Sequence, residues 1–210
     1  MSFNDIIYSL FRNLLSVLII HIKGLIKIKK IYFVRHCIAD GQHIDSPLTT
    51  IGMRQAHLLS IFFSEQDVKI DKIISSPYLR AIESIKPYAE KENIKIEIND
   101  RLKERILSEE PIDDWMDVLE QSFRDPDFSL PGGESSNDAI NRVNPLLESI
   151  FMDKAIEQAI IVSHGNLIAL MLKQFTDKFG FDEWKSLNNP DVYLLTRDKM
   201  DCSVKCLWKT

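Results

Sequence analysis

Ile31-Tyr32-Phe33-Val34-Arg35-His36-Cys37 is an apolar run that ends on an arginine and a histidine. Its length and its bulky residues predict a buried strand. In open α/β sheets ligands gather at the carboxyl ends of strands, so this strand delivers a cation and a nucleophile where a ligand would sit. Ala159-Ile160-Ile161-Val162 repeats the arrangement and runs into Ser163-His164-Gly165-Asn166. Two strands that each stop at a histidine, with basic residues beside them, point to phosphoryl chemistry.

The segments around these strands alternate in period. Gly52 to Ser64 carries Met53, Ala56, Leu59 and Phe63 at helical spacing. Ile70 to Ser75 reads as a strand, and Tyr78 to Glu92 as a helix that Pro87 should kink or end early. Ile94 to Ile98 alternates as a strand with one exposed face. Between Asn99 and Asn137 the pattern is irregular, with a short helix over Ile112 to Phe123 and a turn-rich run ending at Pro131-Gly132-Gly133. Such an excursion suits a lid over a site. Ser136 or Asn137 should cap a helix reaching about Met152, and another follows from Asn166 to Phe175. Val192 to Thr196 and Ser203 to Trp208 should close the sheet as a hairpin. The expectation is an α/β fold: a three-layer α/β/α sandwich with a mostly parallel central sheet and a short lid insertion.

Composition narrows the classes. The 210 residues suit one domain, and the hydrophobic (45%) and charged (27%) fractions are those of a globular protein. A net charge of −5 argues against a nucleic-acid partner while leaving room for a local basic pocket. Cys37, Cys202 and Cys206 form no framework and read as reduced thiols in a cytoplasmic protein. Residues 1–28 are apolar and basic, and Leu14 to Ile20 is far shorter than the ~20 residues of a spanning helix. The favoured reading is a dispensable extension before a domain over 29–210. Contact with a membrane surface through residues 1–28 is the weaker alternative.

Cleaving a phosphate ester takes an in-line nucleophile, positive charge on the equatorial oxygens and a proton for the leaving group. His36 suits the nucleophile, since imidazole is largely neutral near pH 7. Arg35 and Arg80 can clamp phosphoryl oxygens with planar forks, and His164 supplies another donor. The helix after Gly165 adds backbone N–H groups. For the acid, residue type alone leaves Glu104, Glu109, Glu110 and Asp40 open.

Six motifs in order carry a resemblance: Arg35-His36-Cys37; Pro47-Leu48-Thr49-Thr50-Ile51-Gly52 with Gln55-Ala56; Ser76-Pro77-Tyr78-Leu79-Arg80-Ala81; Leu102-Lys103-Glu104; Gly132-Gly133-Glu134-Ser135; and Ser163-His164-Gly165-Asn166. From Lys29 onward the chain resembles the histidine phosphatase superfamily, also called phosphoglycerate mutase-like. The resemblance implies that His36 becomes a phosphohistidine, that Arg35, Arg80, His164 and Gly165 bind the phosphate, and that Glu104 is the acid. It implies no metal and no cofactor.

The chain departs from the family pattern at informative points. Cys37 replaces the usual glycine and leaves the site open to oxidation, and Ala39 lacks a frequent hydroxyl. Gly41-Gln42 stands where cofactor-dependent mutases carry Trp-Asn, and Leu107-Ser108 where they carry Tyr-Gly. The expectation is therefore a metal-independent phosphomonoesterase acting on a small phosphorylated metabolite, with Gln42 and Arg105 touching substrate beyond its phosphate. A cofactor-dependent phosphoglycerate mutase, a phosphoprotein phosphatase and a non-catalytic phospho-ligand binder are the rivals. Several residues have plainer readings. His57 reads as a surface or structural residue, Glu134 as a helix cap or a site residue, and Glu109, Glu110, Asp113 and Asp114 as a solvated face. His43 is a lesser candidate for substrate contact, and Trp115, Phe123 and Phe128 read as core rather than as a lid pocket.

Overall fold

The computed structural model describes residues 28–66, 68–198 and 201–208. The expected N-terminal extension lies, but for Ile28, outside the described residues. In chain order the elements are β1 (Lys29–Arg35), α1 (Thr50–Glu65), β2 (Lys72–Ser75), α2 (Leu79–Glu92), β3 (Ile96–Ile98), α3 (Trp115–Arg124), α4 (Ser136–Met152), β4 (Gln158–Ser163), α5 (Gly165–Lys173), α6 (Phe181–Lys185), β5 (Asp191–Asp198) and β6 (Asp201–Trp208).

The strands form one six-stranded sheet in the order β3-β2-β4-β1-β5-β6. The first four run parallel, and β5 is antiparallel to both of its neighbours, so the closing hairpin is present. Register then places the site. Arg35 pairs with Ser163, and Ser75 pairs with Val162, so β1, β4 and β2 stop almost level at one edge. His36, His164 and Ser76 are the next residues out.

Alternation of side chains across a strand gives the sheet two apolar faces. Tyr32, Val34, Ile73, Ile160 and Val162 pack on Leu59 and Phe63 of α1 and on Ala81, Ile85 and Tyr88 of α2. Ile31, Phe33, Ile74, Ala159 and Ile161 face Leu119 and Phe123 of α3, Val143 and Leu147 of α4, and most of α5. This is the three-layer α/β/α arrangement. Each fully buried aliphatic or aromatic side chain contributes about 1.5–3 kcal/mol, so the two faces supply most of the cohesion.

Several local expectations need correction. Pro87 does not end α2, which continues to Glu92 and stops at Asn93 in the left-handed region (φ 55°). Ile85, Tyr88 and Ala89 bury on both sides of the proline, and that packing outweighs the backbone bond it removes. The cap of α4 is Ser135, not Ser136 or Asn137; its hydroxyl and the Asp138 carboxylate form a reciprocal capping box. The strand expected over Ile94 to Ile98 is only Ile96–Ile98. Helix α6, with five residues, was not anticipated. The insertion is also less of a free lid than expected, since α3 buries Leu119 and Phe123 in the core between two irregular arms.

Candidate active site

His36 leaves β1 with its ring almost fully buried. Its Nδ1 lies 2.7 Å from the Cys37 carbonyl. A carbonyl only accepts, so Nδ1 carries the proton and Nε2 keeps its lone pair. That lone pair faces Arg80, whose Nε–H lies 3.2 Å away. Burial, together with the charges of Arg80 and Arg35, pushes the His36 pKa down to about 3 despite the Cys37 hydrogen bond. The ring is therefore neutral across the physiological range, as a nucleophile must be.

Arg80 is fully buried in the first turn of α2 and organises the pocket. Nη2 reaches His164 Nδ1 at 3.3 Å, and Nη1 donates to the carbonyls of Gln42 and His43 at 3.1 and 2.9 Å. The guanidinium lies 4.5 Å over the Tyr78 ring. His164, fully buried at the end of β4, donates from Nε2 to Ser76 Oγ at 2.8 Å. Its pKa lies well below the ordinary value, first through burial and then through the surrounding positive groups. The two imidazole rings are 5.1 Å apart.

Arg35 anchors one Nη1 on the carbonyl of Leu187 at 2.8 Å. Its Nε is buried without a hydrogen-bond partner. An orphaned cationic donor is costly, and an anionic oxygen is its natural complement. Gly165 permits this placement, since a Cβ there would stand 3.1 Å from both Cζ and Nε of Arg35.

Glu104 follows a single helical turn at Asp100–Leu102. Its carboxylate accepts backbone N–H bonds from Arg105 at 2.9 Å, Leu167 at 3.1 Å and Asn166 at 3.2 Å, and so sits on the first turn of α5. Burial raises its pKa against those bonds and against Arg35. A raised carboxyl can hold a proton for a leaving group. Asp40, Glu109 and Glu110, the other carboxylates left open by residue type, are exposed.

Other expected residues lie elsewhere. Arg105 does not face substrate: its buried guanidinium donates to the Glu134 carbonyl and to the hydroxyls of Ser122 and Ser136. Gln42 is exposed and meets the site through its carbonyl alone. The His43 ring turns to Asp45, and His57 is exposed on α1. Glu134 neither caps α4 nor reaches the pocket; it pairs with Arg142. Trp115 is half-exposed against Trp184, whereas Phe123 is core. Cys37 is fully buried, and burial raises its thiol pKa to about 11; both argue against the expected sensitivity to oxidation. Among the described residues, no group of three or more His, Cys, Asp or Glu is placed to hold a metal ion.

Two supports were missed from sequence. Ser84 Oγ accepts from the Cys37 N–H at 2.8 Å and donates to the Arg80 carbonyl at 2.6 Å, which ties the loop after β1 to α2. Asn189 donates to the His36 carbonyl at 2.6 Å, while Gln55 bridges Asn189 to the backbone of Ile38. Ser84 stands four residues after Arg80, one turn along the same helix, and that spacing was the available signal. Nothing local marks Leu187 to Asn189.

A family model described as the histidine phosphatase superfamily, branch 1, matches residues 31–209. A relative named "Probable phosphoglycerate mutase GpmB" from Yersinia pestis is 31% identical over 159 residues, covering 68% of this chain and 73% of its own. Among solved structures, a mycobacterial glucosyl-3-phosphoglycerate phosphatase superposes with a TM-score of 0.68 at 19% identity, over 86% of this chain and 98% of its own. The alpha-ribazole phosphatase of Shigella flexneri gives 0.67 at 18%, over 85% and 95%. At those identities the structures speak for the fold.

Proposed function

The chain belongs to the histidine phosphatase superfamily, and from that premise we propose that it is a metal-independent phosphomonoesterase working through a phosphohistidine on His36. One observation carries the reading: a neutral His36 with its Nε2 lone pair turned toward Arg80, beside an Arg35 Nε that has no partner.

In the first step the Arg80 Nε–H passes from His36 Nε2 to a phosphoryl oxygen, and the freed lone pair attacks phosphorus as the P–O bond to the alcohol breaks. Arg80 and Arg35 meet the charge on the equatorial oxygens, His164 holds the Arg80 fork in place through its Nδ1, and Glu104 gives its proton to the departing oxygen. In the second step the Glu104 carboxylate takes a proton from water. The resulting hydroxide displaces Nε2 from phosphorus, which releases inorganic phosphate and restores the neutral ring.

A small phosphorylated metabolite is the proposed substrate. Three free cysteines accord with a reducing, cytoplasmic setting. Among the described residues no helix is long and apolar enough to cross a membrane. A mutase is the second reading, favoured by the name of the 31%-identical relative. Leu107-Ser108 and Gly41-Gln42, which depart from the mutase pattern, weigh against it.

The test is phosphate release, with chelator present, from sugar phosphates, phosphoglycerates, nucleotides, an aryl phosphate and phosphopeptides. Wild type and His36→Ala are run together, with acid-stable and base-stable phosphoenzyme measured after a quench. Release and an acid-labile, base-stable phosphoenzyme in wild type, both lost in the variant, are expected. Release that persists in His36→Ala removes the mechanism; bisphosphate-dependent isomerisation without release selects the mutase.

A further inference from the structure

The residues that follow Asp100–Leu102, up to α3, include no strand and no helix, yet Glu104 must stay aligned with a leaving oxygen. A displacement of 1 Å at a catalytic group can cost about a hundredfold in rate. Something other than sheet or helix has to hold this carboxylate.

The candidate is a network centred on Glu134. Its carboxylate forms a two-point pair with Arg142 of α4: Nε to Oε1 at 2.7 Å and Nη2 to Oε2 at 2.8 Å. The remaining nitrogen of that guanidinium, Nη1, donates to the carbonyls of Arg101 and Lys103 at 2.6 and 3.3 Å. Arg101 answers with a bond from its own Nη1 to the Arg142 carbonyl at 3.1 Å. On the far side of Glu104, the Glu134 carbonyl accepts from Arg105 Nε at 2.9 Å, and the Glu134 N–H donates to the Ile106 carbonyl at 2.8 Å. Arg105 is further fixed by Ser122 of α3 and Ser136 of α4.

Residues 101, 103, 105 and 106 are thus all tethered, while the Glu104 side chain points the other way onto the first turn of α5. Both arginines are mostly withdrawn from solvent, and the planar fork is what lets one side chain hold a carboxylate and two carbonyls together. A lysine in its place is a single point charge.

We infer that the Glu134–Arg142 pair, with Arg105 as a second arm, positions Glu104 for proton transfer to the leaving group. These are positioning residues. None of them makes a hydrogen bond in the phosphate pocket, and Arg142→Lys keeps the positive charge that reaches His164, so the effect of that variant should follow the demand for an acid. An alkyl phosphate with a poor leaving group needs the Glu104 proton. An activated aryl phosphate needs it little. This inference rests on the reading of Glu104 as the acid.

The experiment compares Arg142→Lys and Glu134→Gln with wild type on an alkyl phosphate and on p-nitrophenyl phosphate. Glu104→Gln and the double variant Glu104→Gln/Arg142→Lys are run beside them, and each protein's thermal midpoint is recorded. On the alkyl phosphate, kcat should fall on the order of tenfold to a hundredfold in each single positioning variant. On the aryl phosphate it should fall less than about threefold, and product inhibition by inorganic phosphate should be unchanged. In the Glu104→Gln background, Arg142→Lys should add nothing further, because the group it positions is gone.

Equal losses on both substrates, or full additivity in the double variant, overturn the inference and leave the pair a merely structural tie. If Arg142→Lys fails to fold, Glu134→Gln, which keeps both backbone contacts of Glu134, decides alone. A Glu104→Gln variant with no preference between the substrates overturns the acid assignment and this inference with it. Selectivity in Glu104→Gln without selectivity in the positioning variants overturns the inference alone.

Discussion

His36 and His164 stand where they do because two paired strands end there: Arg35 is opposite Ser163, and each histidine is the next residue. Glu104 stands in a stretch without regular structure, held by arginines and a glutamate from α4 and from the arm before it. In the proposed mechanism, the phosphate-clamping half is built by backbone register and the acid half by side-chain tethers. The difference teaches where specificity can vary. Register cannot shift by one residue without turning every core side chain of the strand to the other face. Tethers can loosen without unfolding anything. Damage to the first half should therefore strike every substrate alike, and damage to the second should depend on the leaving group.

The largest effect should come from Arg80→Lys. The guanidinium makes four directed contacts, to His36, His164, Gln42 and His43, and lysine can retain one or two. Losing a preorganised donor from such a site costs about a hundredfold to a thousandfold. We expect kcat/KM to drop by that amount on alkyl and aryl phosphates equally. A drop confined to alkyl phosphates would place Arg80 in the acid half and break the comparison.

A smaller loss should follow Gly165→Ala. The new Cβ would crowd the Arg35 guanidinium at 3.1 Å, so the fork must move by a few tenths of an ångström. At the first position of α5 alanine is the better helix former, so stability should hold or rise slightly. We expect roughly a tenfold fall in kcat/KM, again independent of leaving group, with an unchanged thermal midpoint. Unaltered kinetics would show that Arg35 has room to adjust and that this half tolerates more play than its register suggests.

The same division explains what could be read from the chain. Apolar runs ending in Arg35-His36 and Ser163-His164 announce strands and site together, because a strand's end and its next residue are local facts. Arg80 sits five residues after the end of β2, so its place beside His36 was legible too, whereas the contacts of Ser76 and Tyr78 with His164 and Arg80 were not foreseen. Arg105 was misread because its neighbour is Glu104, the proposed acid; the direction of its guanidinium depends on Ser122 and Ser136, which are 17 and 31 residues away. Leu187 and Asn189 were invisible for the same reason: Leu187 acts through a carbonyl, which carries no sequence signal, Asn189 through a side-chain amide, and the partners of both lie some 150 residues earlier. Pro87 misled because the packing that overrides it belongs to the sheet, not to the helix.

The smallest effect is on stability, and here the two halves should differ in sign. His36 and His164 are buried neutral, with pKa values below the ordinary 6.5. As pH falls through 6.5 the unfolded chain takes up protons on these rings while the native state does not, and stability is lost down toward about pH 3, where His36 itself titrates. Glu104 is the reverse. Its native pKa is raised above the ordinary 4.5, so the native state takes up its proton first, and its contribution grows as pH falls through that raised value. Each group changes stability by at most about 1.4 kcal/mol per pH unit. Urea midpoints at pH 7.5 and 5 would separate the two. His164→Asn should flatten the loss on acidification, since one of the two rings no longer titrates. Glu104→Gln should steepen it, since the compensating proton uptake is gone while the shape remains. If both variants change the slope in the same direction, the acid and the clamp share one electrostatic environment, and the division between them is one of architecture without a counterpart in charge.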